Sequence, residues 1–287
     1  MRNIVALFIL VLFAASCNKT EDVTIKNNVP PPDGTIDSST LTIYVNKAYI
    51  NLLGREPRPE EKSAGLTILR QHSFSKDDRA AFVSTLFSNT EYTLNLYNVA
   101  NAEYLRNLDS LEIEQQLYLF NYLLTQPEYA PFYDVLNFEI KRVDTLKMVL
   151  PGMLAGTVDY KLMLKRMVNN YFYDQINMGT ENFVVSTYQS FLFRYPTDGE
   201  LAAGKQMVDG GLTTVFLKQG KSKNDYLNIF FDTDDYYEGQ VRFVFKKYLF
   251  REPTPAEIYQ YAGIYKTTNS FKELQKAVFV LDEYAGL

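Results

Sequence analysis

Three arginines each stand two residues ahead of a proline: Arg55-Glu56-Pro57, Arg194-Tyr195-Pro196 and Arg251-Glu252-Pro253. A guanidinium is a planar fork of donors that grips a carboxylate or phosphate with two parallel bonds. One reading therefore has Arg55, Arg194 and Arg251 binding an anionic ligand. The other has each arginine closing a helix end and pairing with an acid of its own segment, Glu91, Asp235 or Glu283. Because helix-capping residues surround all three arginines, the second reading is the expectation.

Little else in the chain is equipped for catalysis. It has one His and one Cys, which removes most triads and most metal sites built from those ligands. His72 is expected near a helix C-terminus, where the dipole favours a cation. The acidic run Asp232 to Glu238 lacks the alternating oxygen ligands and central Gly of a calcium loop and reads as a solvated helix end. Glu112 and Glu114 are a candidate glycosidase pair only if the fold sets them across a sugar, and they are expected to be surface acids. No catalytic, cofactor-binding or metal-ligating residue is assigned, and the chain is not expected to be an enzyme. The formal net charge is −5 with no basic stripe, so a nucleic-acid partner is not expected either.

The elements that must carry the arginines are helical. In LTIYVNKAYINLL the residues Ile43, Val45, Ala48, Tyr49, Leu52 and Leu53 recur at steps of three and four, which marks one buried face. FVVSTYQSFLF and VRFVFKKYLF do the same before the second and third arginines. Proline disfavours helix at the residue before it, so each run is expected to stop at Arg-x-Pro, the arginine facing the last carbonyls. Thr254-Pro255-Ala256-Glu257 and Thr197-Asp198-Gly199-Glu200 then spell capping boxes for the next helix. Arg58 takes the cap position in the first copy, which predicts a weaker start there.

Further on, Ser75…Asp78, Ser222…Asp225 and Ser270…Glu273 open a third helix in each copy. These helices are expected to end in a large apolar residue followed by an acid-Tyr pair: Phe87…Glu91-Tyr92, Phe231…Asp235-Tyr236 and Phe279…Glu283-Tyr284. A fourth ending, Leu124…Glu128-Tyr129, follows the cap Asp109. The predicted fold is all-α, with three-helix repeat units stacked in a helical-repeat or bundle-like array. The units span residues 41–97, 181–238 and 239–287, with a degenerate helical middle over 98–180. VLPGMLAGT, from Val149 to Thr157, is expected to break the helices of that middle. Tyr (22) and Phe (20) are abundant while Trp is absent, and the Tyr at fixed repeat positions are assigned to core packing.

The N-terminus reads as an address. Residues 1–16, MRNIVALFILVLFAAS, combine Arg2 with an apolar run and small residues, the pattern of a cleaved secretory signal. Cys17 follows at once, and the junction resembles a bacterial lipoprotein signal, although Ala14 stands where such signals usually have Leu. That resemblance implies lipidation of Cys17 and anchoring by two or three acyl chains, each buried CH₂ contributing about 0.8 kcal/mol. Residues 17–40, which include NNVPPPDGTIDSS, read as a flexible Pro-rich linker. Lys19-Thr20-Glu21-Asp22 looks like the surface-export signal of Bacteroidota lipoproteins. The Arg-x-Pro hinge and acid-Tyr ending resemble small helical domains of unknown function in exported bacterial proteins. They are distantly similar to phycobilisome linker domains and planctomycete cytochrome-associated domains.

These resemblances imply an outer-membrane, lipid-anchored protein displayed on the cell surface. It would act as a non-enzymatic structural or protein-interaction subunit of an envelope complex. The alternative is a glycan- or small-ligand-binding lipoprotein serving uptake. A Tyr-lined cleft in the middle segment would favour that alternative, and an exposed apolar patch would favour a protein partner.

Overall fold

The computed structural model describes residues 37–287. The signal peptide, Cys17 and most of the linker lie outside the described residues. The described part is all-α: sixteen α-helices, one 3₁₀ turn and one two-stranded hairpin. Its first half holds α1 (Ser38–Leu53), α2 (Pro59–Leu69), α3 (Lys76–Phe87), α4 (Thr90–Leu105), α5 (Ser110–Leu123), α6 (Tyr133–Lys147), α7 (Val149–Leu154) and α8 (Tyr160–Val168). The 3₁₀ turn, Pro127–Phe132, lies between α5 and α6. The second half holds α9 (Tyr171–Ile176), α10 (Thr180–Leu192), α11 (Asp198–Val208), α12 (Lys223–Phe230), α13 (Asp234–Leu249), α14 (Pro255–Thr268), α15 (Phe271–Phe279) and α16 (Asp282–Ala285). Among these, no helix is long and apolar enough to cross a membrane.

The capping signals sit where the sequence reading put them. Ser75, Asp109, Thr197, Ser222, Thr254 and Ser270 each accept the backbone N–H of the residue three positions on. Arg58 has no acceptor to offer, so at α2 only the reciprocal bond forms, from Arg58 N–H to Glu61 at 2.8 Å. The hairpin β1 (Thr213–Val215) and β2 (Lys218–Gly220) is an addition between α11 and α12. Phe216 and Leu217 turn it with positive φ, the backbone a two-residue primed turn requires.

Three local expectations are corrected. Ile43 is exposed, and Tyr44 fills the buried face of α1 in its place. The helices stop two residues before the arginine, at Leu53, Leu192 and Leu249, rather than running on to the residue before the proline. Gly54, Phe193 and Phe250 adopt left-handed φ of 75°, 57° and 57° and end α1, α10 and α13. The acid-Tyr pairs open the next helix instead of closing the third. Glu91-Tyr92 begins α4, Asp235-Tyr236 begins α13 and Glu283-Tyr284 lies in α16. The expected break around VLPGMLAGT falls on either side of α7: Met148 separates it from α6, and the turn through Gly156 precedes α8. Pro151 is tolerated at its third position, where no intrahelical donor is needed.

Helix α13 carries the acid of one corner at its start and the arginine of the next at its end, so the 238/239 boundary falls inside a helix. The first and last segments also touch. The Tyr44 hydroxyl donates to the Phe279 carbonyl at 3.0 Å, Asn51 donates to the Tyr284 hydroxyl at 3.0 Å, and buried Arg79 pairs with Asp282 at 2.6 Å. In an open solenoid each repeat meets only its neighbours. Here α1 and α3 pack against α16 and α15, closing the helices on themselves. A buried polar chain reinforces the closure. Tyr92 donates to Gln275 at 2.6 Å, and Gln275 donates to Tyr248 at 2.7 Å.

Candidate functional site

The three arginines occupy one repeated geometry, which can be built from its corner outward. The left-handed residue turns the chain, and the arginine behind it points across the corner rather than back at the helix carbonyls. Arg55 forks onto Glu61 at 2.7 and 2.8 Å, Arg194 onto Glu200 at 2.8 and 2.7 Å, and Arg251 onto Glu257 at 2.9 and 2.7 Å. Each glutamate is the third residue of the following helix and also accepts the cap residue's backbone N–H. A second carboxylate completes each clamp: Glu91 at 2.7 Å from Arg55, Asp235 at 2.8 Å from Arg194, Glu283 at 2.7 Å from Arg251.

Beneath each guanidinium lies the aromatic ring six residues earlier. Arg55 sits 5.6 Å from the Tyr49 centroid, Arg194 5.0 Å from Tyr188 and Arg251 5.0 Å from Phe245. The arginine's remaining bond goes to the carbonyl of the next residue, Glu56, Tyr195 or Glu252. The forked arginine bonds hold Glu61, Glu200 and Glu257 at about 2, well below the usual carboxylate value. Two carboxylates, a carbonyl and a ring surround each guanidinium; Arg55 and Arg251 also bond through Nε, whereas Arg194 bonds through its two terminal nitrogens. Pro57, Pro196 and Pro253 stand between the arginine and the cap, and restrict the residue before them to extended backbone.

Sequence reasoning placed Glu91, Asp235 and Glu283 as partners and missed the second acceptor. Its signal was present: an acid six residues after the arginine and an aromatic six residues before it, in all three copies. The fourth acid-Tyr pair, Glu128-Tyr129, lies in the 3₁₀ turn with Tyr129 exposed, so it does not build this clamp. His72 lies past the end of α2, and its Nδ1 is 2.8 Å from Asp78 Oδ1. The acidic run disperses to separate cations: Asp232 to Lys218, Asp234 to Lys266, Asp235 to Arg194 and Glu238 to Arg242. Glu114, exposed on α5, pairs with Lys147 at the end of α6.

A 430 Å³ cleft opens between α4, α8, α10 and α13. Leu96, Val99, Phe193 and Phe243 give it apolar walls, Tyr104, Tyr160 and Tyr248 line it, and Glu103, Gln189, Ser190 and Lys247 supply polar groups. Burial lowers the Lys247 pKa while the Glu103 charge opposes that shift. Burial pushes the Tyr104 hydroxyl above the usual range, keeping it a neutral hydrogen-bonding group. Glu103 is the single carboxylate of the lining, so the cleft is suited to holding an amphipathic molecule and lacks the paired acids of a glycosidase.

A second surface lies in the middle segment. Helix α5 buries Ile113, Leu117 and Phe120 and turns Leu111, Tyr118 and Tyr122 outward, 62%, 76% and 51% exposed. Their spacing of seven and four aligns them in one stripe opposite the buried face. Phe132, Val135 and Phe138, just before and within α6, are exposed as well. No protein-family model, curated protein or solved structure matches the chain.

Proposed function

We propose that this protein is a non-enzymatic interaction subunit of a cell-envelope complex, tethered to the outer membrane through lipid on Cys17. The observation that carries the reading is the outward stripe of Leu111, Tyr118 and Tyr122 on α5. Aliphatic and aromatic side chains set in line on a helix, with a second apolar group on the adjoining helix, are the anchors protein partners use. The arginine clamps, paired with carboxylates of the chain itself, serve the scaffold that carries α5 and α6.

Affinity purification from solubilised envelopes tests the reading. The wild-type chain is expected to bring down a stoichiometric partner, and Tyr118→Glu with Tyr122→Glu to lose it at unchanged melting temperature. Recovery of the wild type alone counts against the proposal. Radiolabelled palmitate should enter the wild type and be absent from Cys17→Ala.

The 430 Å³ cleft favours a second reading, capture of a glycan or other small amphipathic ligand for uptake. Under that reading the wild type purifies alone and its melting temperature rises with ligand. Phe243→Ala then abolishes the rise while the α5 substitutions leave it intact.

A further inference from the structure

The chain is acidic, yet one cavity gathers cations with no carboxylate in its lining. This space of 310 Å³ opens between α6 and α8. Lys141 and Arg142 reach it from α6, Lys165 and Arg166 from α8, and Phe138 and Leu162 give it an apolar wall. Arg142 is already neutralised, by Glu139 at 2.8 Å and Asp174 at 2.6 Å. Among the described residues, Lys141, Lys165 and Arg166 make no ion pair, and Lys165 donates only to the neutral amide oxygen of Asn228. Lys165 and Arg166 are half-buried, so water screens their mutual repulsion incompletely. Burial first, then Arg166 and Lys161, lower the Lys165 pKa, which is how unopposed like charges act.

We propose that this cavity binds the phosphomonoester group of a small molecule whose apolar part lies against Phe138 and Leu162. Two ammoniums and a guanidinium without carboxylate partners match a group carrying about −1.5 to −2 charges and three strong acceptor oxygens. Three cations held together at a cavity mouth also attract such an anion against the net negative charge of the rest of the chain. The site is separate from the α5 stripe and from the aromatic cleft and shares only Phe138 with the exposed apolar group on α6, so its cations do not depend on the partner proposed above.

Isothermal titration calorimetry of the purified full chain tests this, with phenyl phosphate and inorganic phosphate as probes at low salt. Phenyl phosphate is expected to bind saturably, and at least about threefold tighter than inorganic phosphate through the apolar wall. Lys165→Gln with Arg166→Gln should weaken it by about tenfold or more, while Lys165→Arg retains most of the affinity. Should the double variant melt early, Lys141→Gln at an exposed position carries the test, with a loss of roughly threefold expected. Absence of saturable binding, or unchanged affinity in these variants at unchanged melting temperature, overturns the site. Equal affinity for the two probes overturns the assignment of the apolar wall.

Discussion

Arg251 and Glu257 face each other across a helix corner, joined by two parallel bonds of 2.9 and 2.7 Å although six residues separate them in the chain. Glu283 adds two more bonds from 32 residues away. The arginine therefore ties the end of one helix to the start of the next and to the last helix of the chain. Removing it leaves two carboxylates facing each other with no cation between. These groups are partly solvated, so Arg251→Ala is expected to cost about 1–3 kcal/mol, less than a fully buried pair would. Arg251→Lys cannot form the fork and should recover only part of the loss. Thermal melting of the three proteins checks this. Unchanged melting in Arg251→Ala, together with loss of a partner, would return the arginine to a ligand-binding role.

The same clamps set an acid dependence. Glu61, Glu200 and Glu257 titrate at about 2 in the fold against an ordinary value of 4.5. A depressed folded-state pKa means the unfolded chain binds protons first as pH falls. The stabilisation is therefore fully present above about 4.5 and is lost progressively as pH falls toward 2. Melting temperature measured across that window should drop steeply, and Glu257→Gln should make the drop shallower. An identical pH profile in wild type and variant would show that the clamp contributes no linkage.

Gly239 is expected to tolerate no side chain. A Cβ there would stand 1.9 Å from the Phe191 carbonyl oxygen, because α13 crosses the end of α10 backbone against backbone. Four residues after the acid of the first corner the equivalent position is Asn95, which donates to the Leu52 carbonyl at 3.0 Å. Gly239→Ala must push the two helices apart, at about 1–3 kcal/mol or more. Gly263 lies exposed in α14 with open space around it. Gly263→Ala should therefore stabilise by about 0.5–1 kcal/mol. Denaturant melts of the two alanine variants should move in opposite directions.

Phe250 holds a left-handed φ of 57° while its ring is 83% exposed. An aromatic residue gains nothing from that backbone and forfeits little packing if removed. Gly54 already occupies the same place in the first corner. Phe250→Gly is expected to raise stability by up to about 1 kcal/mol, read as an upward shift of the denaturant midpoint. A downward shift would show that the ring has a packing role its exposure does not reveal.

Local signals carried much of this fold. Helices announce themselves through three- and four-residue steps, and the hydroxyls of caps such as Thr254 and Ser75 bond to a residue only three positions away, so short stretches of sequence suffice to place them. The link between Arg194 and Asp235 was legible for a different reason, since the same pair of residue types recurs around three corners. What failed was also local. The helices stop at Gly54, Phe193 and Phe250, a backbone choice that Phe does not advertise.

By itself the sequence determined that the described chain is helical, where its corners lie and which arginine faces which distant acid. Only the tertiary structure decided that α1 meets α16, that Tyr92 reaches Tyr248 through Gln275, and that Lys141 and Arg166 share one cavity. The difference is physical. Caps, turns and periodic faces are settled by neighbours along the chain. A cavity or a closure depends on which apolar faces from distant segments bury each other most completely, and no short stretch of residues records that outcome.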